Sequence, residues 1–230
     1  MERLLEEVWS LREKCSKFQD EIISIIKADQ EDIRVGCFGM IFNQVTQTYE
    51  LLRLYYEIWR NPSLFGYKIP SNSQEIEQVR KENTERCIMA TKWLFIGALS
   101  SIEYSMKETI KLYPKSKIYS WFSNRVKQGK RVYLSGIIEK SVEYGLIDES
   151  KKHIWMCLIK VRNTVIHNNA IADENANYQI GDLIVSFREG QMLRGKLDFF
   201  VRLTDVVVNE YYHWLRQLIN INNKNIITKN

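Results

Sequence analysis

The run H-I-W-M-C-L-I-K-V-R-N-T-V-I-H-N-N, His153 to Asn169, decides how the rest of the chain is read. As a helix it carries Ile154, Leu158, Val161 and Val165 on one apolar stripe and Trp155, Ile159 and Ile166 on the next. A helix apolar around that much of its circumference is expected at the centre of a bundle. Arg162, Asn163 and His167 interrupt the pattern. Arginine keeps its charge, so beside Val161 it needs an anion, a carboxylate or a solvent cleft. Glu103, on an upstream run, is a candidate partner; an exposed glutamate is the other reading of that residue.

Outward from this run the apolar residues keep helical spacing. Leu4, Val8, Leu11, Cys15, Phe18, Ile22 and Ile25 draw a seam along a first long helix, and Phe38, Phe42, Val45, Tyr49, Leu52, Tyr56 and Trp59 along a second, which Asn61-Pro62 ends. A third is expected from Ser73, as N-cap, to about Leu112. Its small residues Ala90, Gly97, Ala98, Ser101 and Ser105 permit close approach of the central helix or of a second subunit. A fourth, about Leu134 to Tyr144, stops at Gly145, and Asp148 caps the central helix. After His167 the chain turns polar. Tyr178–Phe187 and Gln191–Leu197 then read as strands of a hairpin turning at Arg188-Glu189-Gly190. A last helix from about Asp198 aligns Phe200, Leu203, Val207, Tyr211, Trp214 and Leu218, and residues 222–230 are expected to fray.

The expected fold is therefore all-α, a bundle of long helices with a small β-hairpin before the last one. It forms a single domain over residues 1–230, with 1–62 an N-terminal helical extension packed on a core at 73–221. Three prolines and ten glycines in 230 residues leave few breaks. A net charge of +5 permits a polyanionic partner without demanding one. Cys15, Cys37, Cys87 and Cys157 are scattered and fall on or beside apolar stripes, which points to reduced core thiols in a cytoplasmic protein. No signal peptide or membrane span is visible, the longest apolar run being Trp93 to Leu99.

Between Thr109 and Ile138 there is no acidic residue, while Lys111, Lys115, Lys117, Arg125, Lys127, Lys130 and Arg131 are interleaved with Tyr113, Tyr119, Trp121, Phe122 and Tyr133. Cations for phosphates beside faces for bases suit single-stranded nucleic acid, which makes Lys127, Lys130 and Arg131 candidate substrate-binding residues. A solvated connection whose aromatics turn inward fits the same composition.

On a helix Asn163 and His167 leave from nearly the same face, so an amide-to-imidazole hydrogen bond can fix the ring. An imidazole can take a proton from a hydroxyl and return one to a leaving oxygen, and a guanidinium can hold a phosphate. Such a pair suits RNA cleavage by the RNA's own 2′-hydroxyl. An ion-paired arginine and a satisfied helix-end histidine fit the spacing as well.

The run V-R-N-T-V-I-H-N, preceded by Y-G-L-I-D and by F-I-G-A-L-S-S-I-E, resembles the HEPN superfamily (higher eukaryote and prokaryote nucleotide-binding domains) over roughly Thr84 to Leu218. That family's signature is an arginine, then asparagine, aspartate or histidine, then a histidine after four to six residues. The resemblance implies a HEPN-like helical bundle that forms a homodimer with both motifs in one cleft. It also implies a metal-independent endoribonuclease, of the kind found in toxin–antitoxin and phage-defence systems with an antitoxin or other partner protein. Arg162 would contact phosphate, Asn163 orient the site and His167 act as general acid or base. Some members are instead inactive modules that bind nucleic acid, nucleotide or a partner protein. Ile154 and Leu158 stand where one ribonuclease subgroup carries glutamate and lysine, and Asn169 where others carry a modifiable tyrosine.

The offset of Arg162 and His167 around one helix also favours a dimer, with Gly97, Ser101 and Ser105 in the interface and Trp155 or Ile166 at its centre. No cofactor and no metal is expected. His153, His167 and His213 lack zinc-site spacing, and no Walker loop, G-x-S-x-G or G-x-G-x-x-G occurs.

Overall fold

The computed structural model describes residues 1–66 and 69–227. In chain order the elements are α1 (Glu2–Ile26), α2 (Ile33–Arg60), a 3-10 turn (Pro62–Phe65), α3 (Ser73–Lys111), α4 (Lys117–Lys127), α5 (Leu134–Glu143), α6 (Glu149–His167), β1 (Ala176–Ile180), β2 (Leu183–Phe187) and α7 (Phe199–Ile227). The all-α class and the small hairpin before the last helix are as the sequence pattern indicates.

Four long helices close on one another, α1 on α2, α2 on α3, α3 on α7 and α7 on α1. At their centre Phe38 meets Phe18 edge-on, 5.9 Å between ring centroids, and Tyr211 at 5.3 Å. The helix ends follow from local chemistry. Lys27 terminates α1 in the left-handed region and donates its N–H to the Ile23 carbonyl. Asp32 caps α2 by accepting from the Arg34 N–H, and the Arg34 guanidinium reaches the Tyr113 hydroxyl at 2.9 Å, tying the start of α2 to the end of α3. The N-cap of α3 is Asn72, one residue before the expected Ser73; its amide oxygen accepts from Glu75 N–H at 2.9 Å.

The small residues of α3 serve the bundle itself. Gln44 of α2 lies against Gly97, where a Cβ would stand 2.8 Å from its Oε1, and donates to Ser101 Oγ at 3.2 Å. Ser105 is fully buried, bonded to the Ile33 carbonyl and to the Tyr211 hydroxyl. Within the chain these positions therefore admit side chains of α2 and α7. Trp155 is fully buried too and cannot fill an interface.

Helix α6 is capped as expected by Asp148, which accepts from Ser150 N–H at 2.8 Å. Its place differs from the expectation. Helix α6 packs mainly on α5, β1 and α7 and reaches α3 through Arg162 and Glu103, so it flanks the four-helix layer and one of its faces stays open.

The basic segment is not one connection. Ser116 caps α4, accepting from Tyr119 N–H, and Ile118 and Phe122, four residues apart, are buried while Tyr119 and Trp121 pack on the core. This short helix was masked in the sequence by its lysines. The hairpin also turns elsewhere than at Arg188-Glu189-Gly190. Ile180 pairs with Leu183 across Gly181-Asp182, with Gly181 at φ 59°, because a two-residue loop led by glycine matches the twist of adjoining strands. Leu183, Val185 and Phe187 face the core. Residues 188–193 fold back on the 170–172 stretch, Ala172 N–H donating to the Gln191 carbonyl and Leu193 N–H to that of Ala170. Helix α7 continues through Ile227, past the expected fraying point at 222, and residues 228–230 lie outside the described residues.

One continuous cluster of buried side chains runs from Leu4 to Ile219. All four cysteines are free and buried within it. Burial pushes Cys15, Cys37 and Cys157 up to about 12 and Cys87 to about 11, since an apolar surrounding disfavours the thiolate. The native protein at about pH 8 is thus expected to resist a maleimide, the four thiols reacting only in denaturant; fast labelling of the native chain would contradict this packing. Among the described residues no helix is long and apolar enough to cross a membrane.

Candidate functional site

The open face of α6 forms one wall of a cleft of about 830 Å³. Lys160, Asn163 and His167 follow one another at steps of three and four, so they share a stripe facing it. Arg162 flanks that stripe on the side of α3. The opposite walls come from the start of α5, with Tyr133 and Ser135, and from the hairpin side, with Asp173, Glu174 and Tyr178.

Trp155, Leu158 and Val161 are fully buried and fix the rotation of α6, which turns Asn163 and His167 outward to solvent. His167 is the last helical residue. Beyond it Asn168 N–H and Ala170 N–H both donate to the Thr164 carbonyl, at 3.2 and 2.9 Å, and Asn169 and Ala170 take positive φ of 51° and 66°. Left-handed backbone costs a residue with a Cβ about 1 kcal/mol or more. Ala170→Gly is therefore expected to hold or raise the melting temperature by relieving that strain, and a clear fall would contradict this account of the turn.

Arg162 Nη1 donates to Glu103 Oε2 at 2.9 Å, and Glu103 Oε1 accepts from Lys107 Nζ at 2.6 Å. The arginine beside Val161 thus has the carboxylate that the sequence offered as a candidate. Both partners are largely covered, 24% exposed for the Arg162 side chain and 15% for Glu103. That is the only side-chain hydrogen bond of Arg162 among the described residues, and its buried Nε has no acceptor. No hydrogen bond joins Asn163 to His167 among the described residues; both amide and imidazole are left facing the cleft. On the hairpin side Lys160 pairs with Glu174, and its Nζ stands 5.0 Å from the centre of the Phe187 ring.

The structure brings Arg162, Asn163 and His167 into one cleft. Lys127, Lys130 and Arg131 lie outside its lining, exposed on the end of α4 and the turn that follows. Tyr133 of the same segment is 57% exposed and does line it. Sequence reasoning passed over Lys160, Tyr133 and Tyr178 as members of this site. The spacing of Lys160 to Asn163 and His167 was a usable signal; nothing local in the sequence marks Tyr178.

Scans against family models, curated proteins and solved structures give no match for this chain.

Proposed function

We propose that this cleft binds single-stranded RNA and cleaves it without a metal ion, through the RNA's own 2′-hydroxyl. The observation that carries the reading is the state of Arg162. Its guanidinium is anchored to Glu103 by Nη1 alone, and its Nε is buried without an acceptor. Leaving a buried donor unmade costs roughly 1–3 kcal/mol. A phosphate oxygen entering from the cleft, with the Arg162 side chain turned to meet it, would supply the acceptor in the forked geometry that guanidinium favours. His167, farther along the same helix and open to the same cleft, then exchanges protons with the 2′-hydroxyl and the leaving oxygen, while the Asn163 amide orients the phosphate or sugar. Tyr133 and Tyr178 offer ring faces for unpaired bases. The R-N-x3-H resemblance supports the same assignment of roles.

The test is incubation of the purified protein with mixed RNA in EDTA. Cleavage by the wild type that disappears in Arg162→Ala and in His167→Ala is the expected result. Absence of cleavage by the wild type under every condition would favour a second reading, a binding module for nucleic acid, nucleotide or protein. The observation on its side is that Glu103 already neutralises Arg162.

The reading also includes a cytoplasmic homodimer with a site shared between protomers, and a toxin or defence role with a cognate partner protein. Light scattering at micromolar concentration is expected to give twice the chain mass of 27.3 kDa. A fully active monomer would remove the shared site. Lys127, Lys130 and Arg131 would extend the RNA path beyond the cleft. Replacing all three with alanine is expected to flatten the salt dependence of binding by about two log units per log unit of salt, at roughly 0.7 per phosphate on a single strand. An unchanged slope would make this turn a solvated connection only.

A further inference from the structure

Lys160 is unlike the other lysines at the surface. Its side chain is only 14% exposed, its ammonium stands over the Phe187 ring, and it meets a carboxylate, Glu174, that is itself 68% exposed on the loop after α6. Glu174 has no other partner among the described residues. Glu103, which holds Arg162, is the opposite case: largely covered and shared with Lys107. Two cations of the cleft are therefore each matched by a carboxylate of the chain. An exposed ion pair is worth little and exchanges easily, whereas taking a covered one apart costs much more. Glu174 is the carboxylate that an incoming anion can displace.

Geometry fixes which anion. At about 100° per residue, Lys160 and Arg162 are about 160° apart around α6, across the arc that carries Asn163 and His167. A single phosphate cannot serve both side chains across the width of a helix. A strand laid over α6 would put one phosphodiester at Arg162 and a neighbouring one at Lys160.

We propose that Lys160 is a second phosphate-contacting residue of this cleft, that Glu174 keeps its place in the empty protein, and that the ligand is an oligonucleotide with at least two consecutive phosphodiesters. This rests on the reading of the cleft as an RNA site. It goes beyond that reading by adding a residue, a displaceable stand-in for phosphate and a minimum ligand length.

The test measures equilibrium binding in EDTA of a labelled single-stranded oligonucleotide of about twelve 2′-O-methyl nucleotides, which cannot be cleaved, with a dinucleoside monophosphate and inorganic phosphate as competitors. Glu174→Gln is expected to tighten the oligonucleotide about two- to fivefold, the size of one exposed ion pair. Lys160→Met keeps the stem on Phe187 and removes the charge; it is expected to weaken the oligonucleotide and to lower the salt slope by about 0.7. In Lys160→Met the Glu174→Gln effect should vanish, and competition by the dinucleoside monophosphate should be the same as in the wild type. Equal tightening by Glu174→Gln with and without Lys160 would overturn the proposal, as would an equal loss for the dinucleoside monophosphate. If Arg162→Ala weakens the oligonucleotide while Lys160→Met does not, the RNA site stands and this inference falls. If neither variant alters binding, the RNA site falls with it.

Discussion

Replacing His167 with alanine is expected to lower the rate of RNA cleavage in EDTA by about 10²–10⁴-fold, the usual contribution of a positioned general acid or base. RNA binding should change little, because His167 is exposed at the end of α6 and makes no hydrogen bond among the described residues that the fold depends on. A loss of cleavage with binding and melting temperature intact separates chemistry from folding. Arg162 needs a gentler variant. Arg162→Ala would leave the covered Glu103 with Lys107 as its only partner, so lost activity could reflect a disturbed α3–α6 contact. Arg162→Lys keeps a charge opposite Glu103 and gives up the planar fork. Its stability should stay near that of the wild type while cleavage falls. Full activity in the lysine variant would mean that no forked phosphate contact is made there.

The second large effect is on stability. Trp214 of α7 is almost fully buried and donates its Nε1–H to Ser141 Oγ at 3.0 Å, with Tyr211 stacked alongside at 6.0 Å. The Ser141 carbonyl in turn accepts from Leu146 N–H and Ile147 N–H in the turn that leads to α6. Trp214 thus ties the main bundle to the element that carries the site. Trp214→Ala is expected to cost about 3–5 kcal/mol, lowering the melting temperature by roughly 10 °C for a chain of this size. Trp214→Phe keeps most of the buried area and should lose only the hydrogen bond, about 1 kcal/mol. Equal losses in the two variants would show that the hydrogen bond, not the packing, holds the two parts together.

Long helices were readable because each repeats its apolar residues over many turns. Leu4, Val8, Leu11, Cys15 and Ile22 of α1 are all buried, as are Leu203, Val207, Tyr211, Trp214 and Leu218 of α7. Short elements carried weaker signals. In α4 the buried pair Ile118 and Phe122 is outnumbered by polar residues, and the segment read as a basic connection. The hairpin was seen but its turn misplaced, because Gly181-Asp182 and Glu189-Gly190 both carry turn residues and only the first leaves strands that bury alternate side chains on the core. The small residues of α3 were expected to admit the central helix or a second subunit; they admit Gln44 of α2 and Tyr211 of α7 instead, a choice that only the packing of distant segments makes. Arg162, Asn163 and His167 were legible on one helix. Lys160, though on the same helix, acquires its setting from Phe187 and Glu174, 27 and 14 residues away in sequence, and Tyr133 and Tyr178 join only through the fold.

The nucleophilic role proposed for the RNA's own 2′-hydroxyl at Arg162 and His167 underlies every cleavage prediction. It is tested most directly by a cleavable RNA carrying a single 2′-deoxy nucleotide at the cut site, incubated with the wild-type protein in EDTA. The all-ribose control is expected to be cut to a 2′,3′-cyclic phosphate and a 5′-hydroxyl, while the deoxy substrate binds equally well and stays whole. Cleavage of the deoxy substrate at the control rate would contradict it.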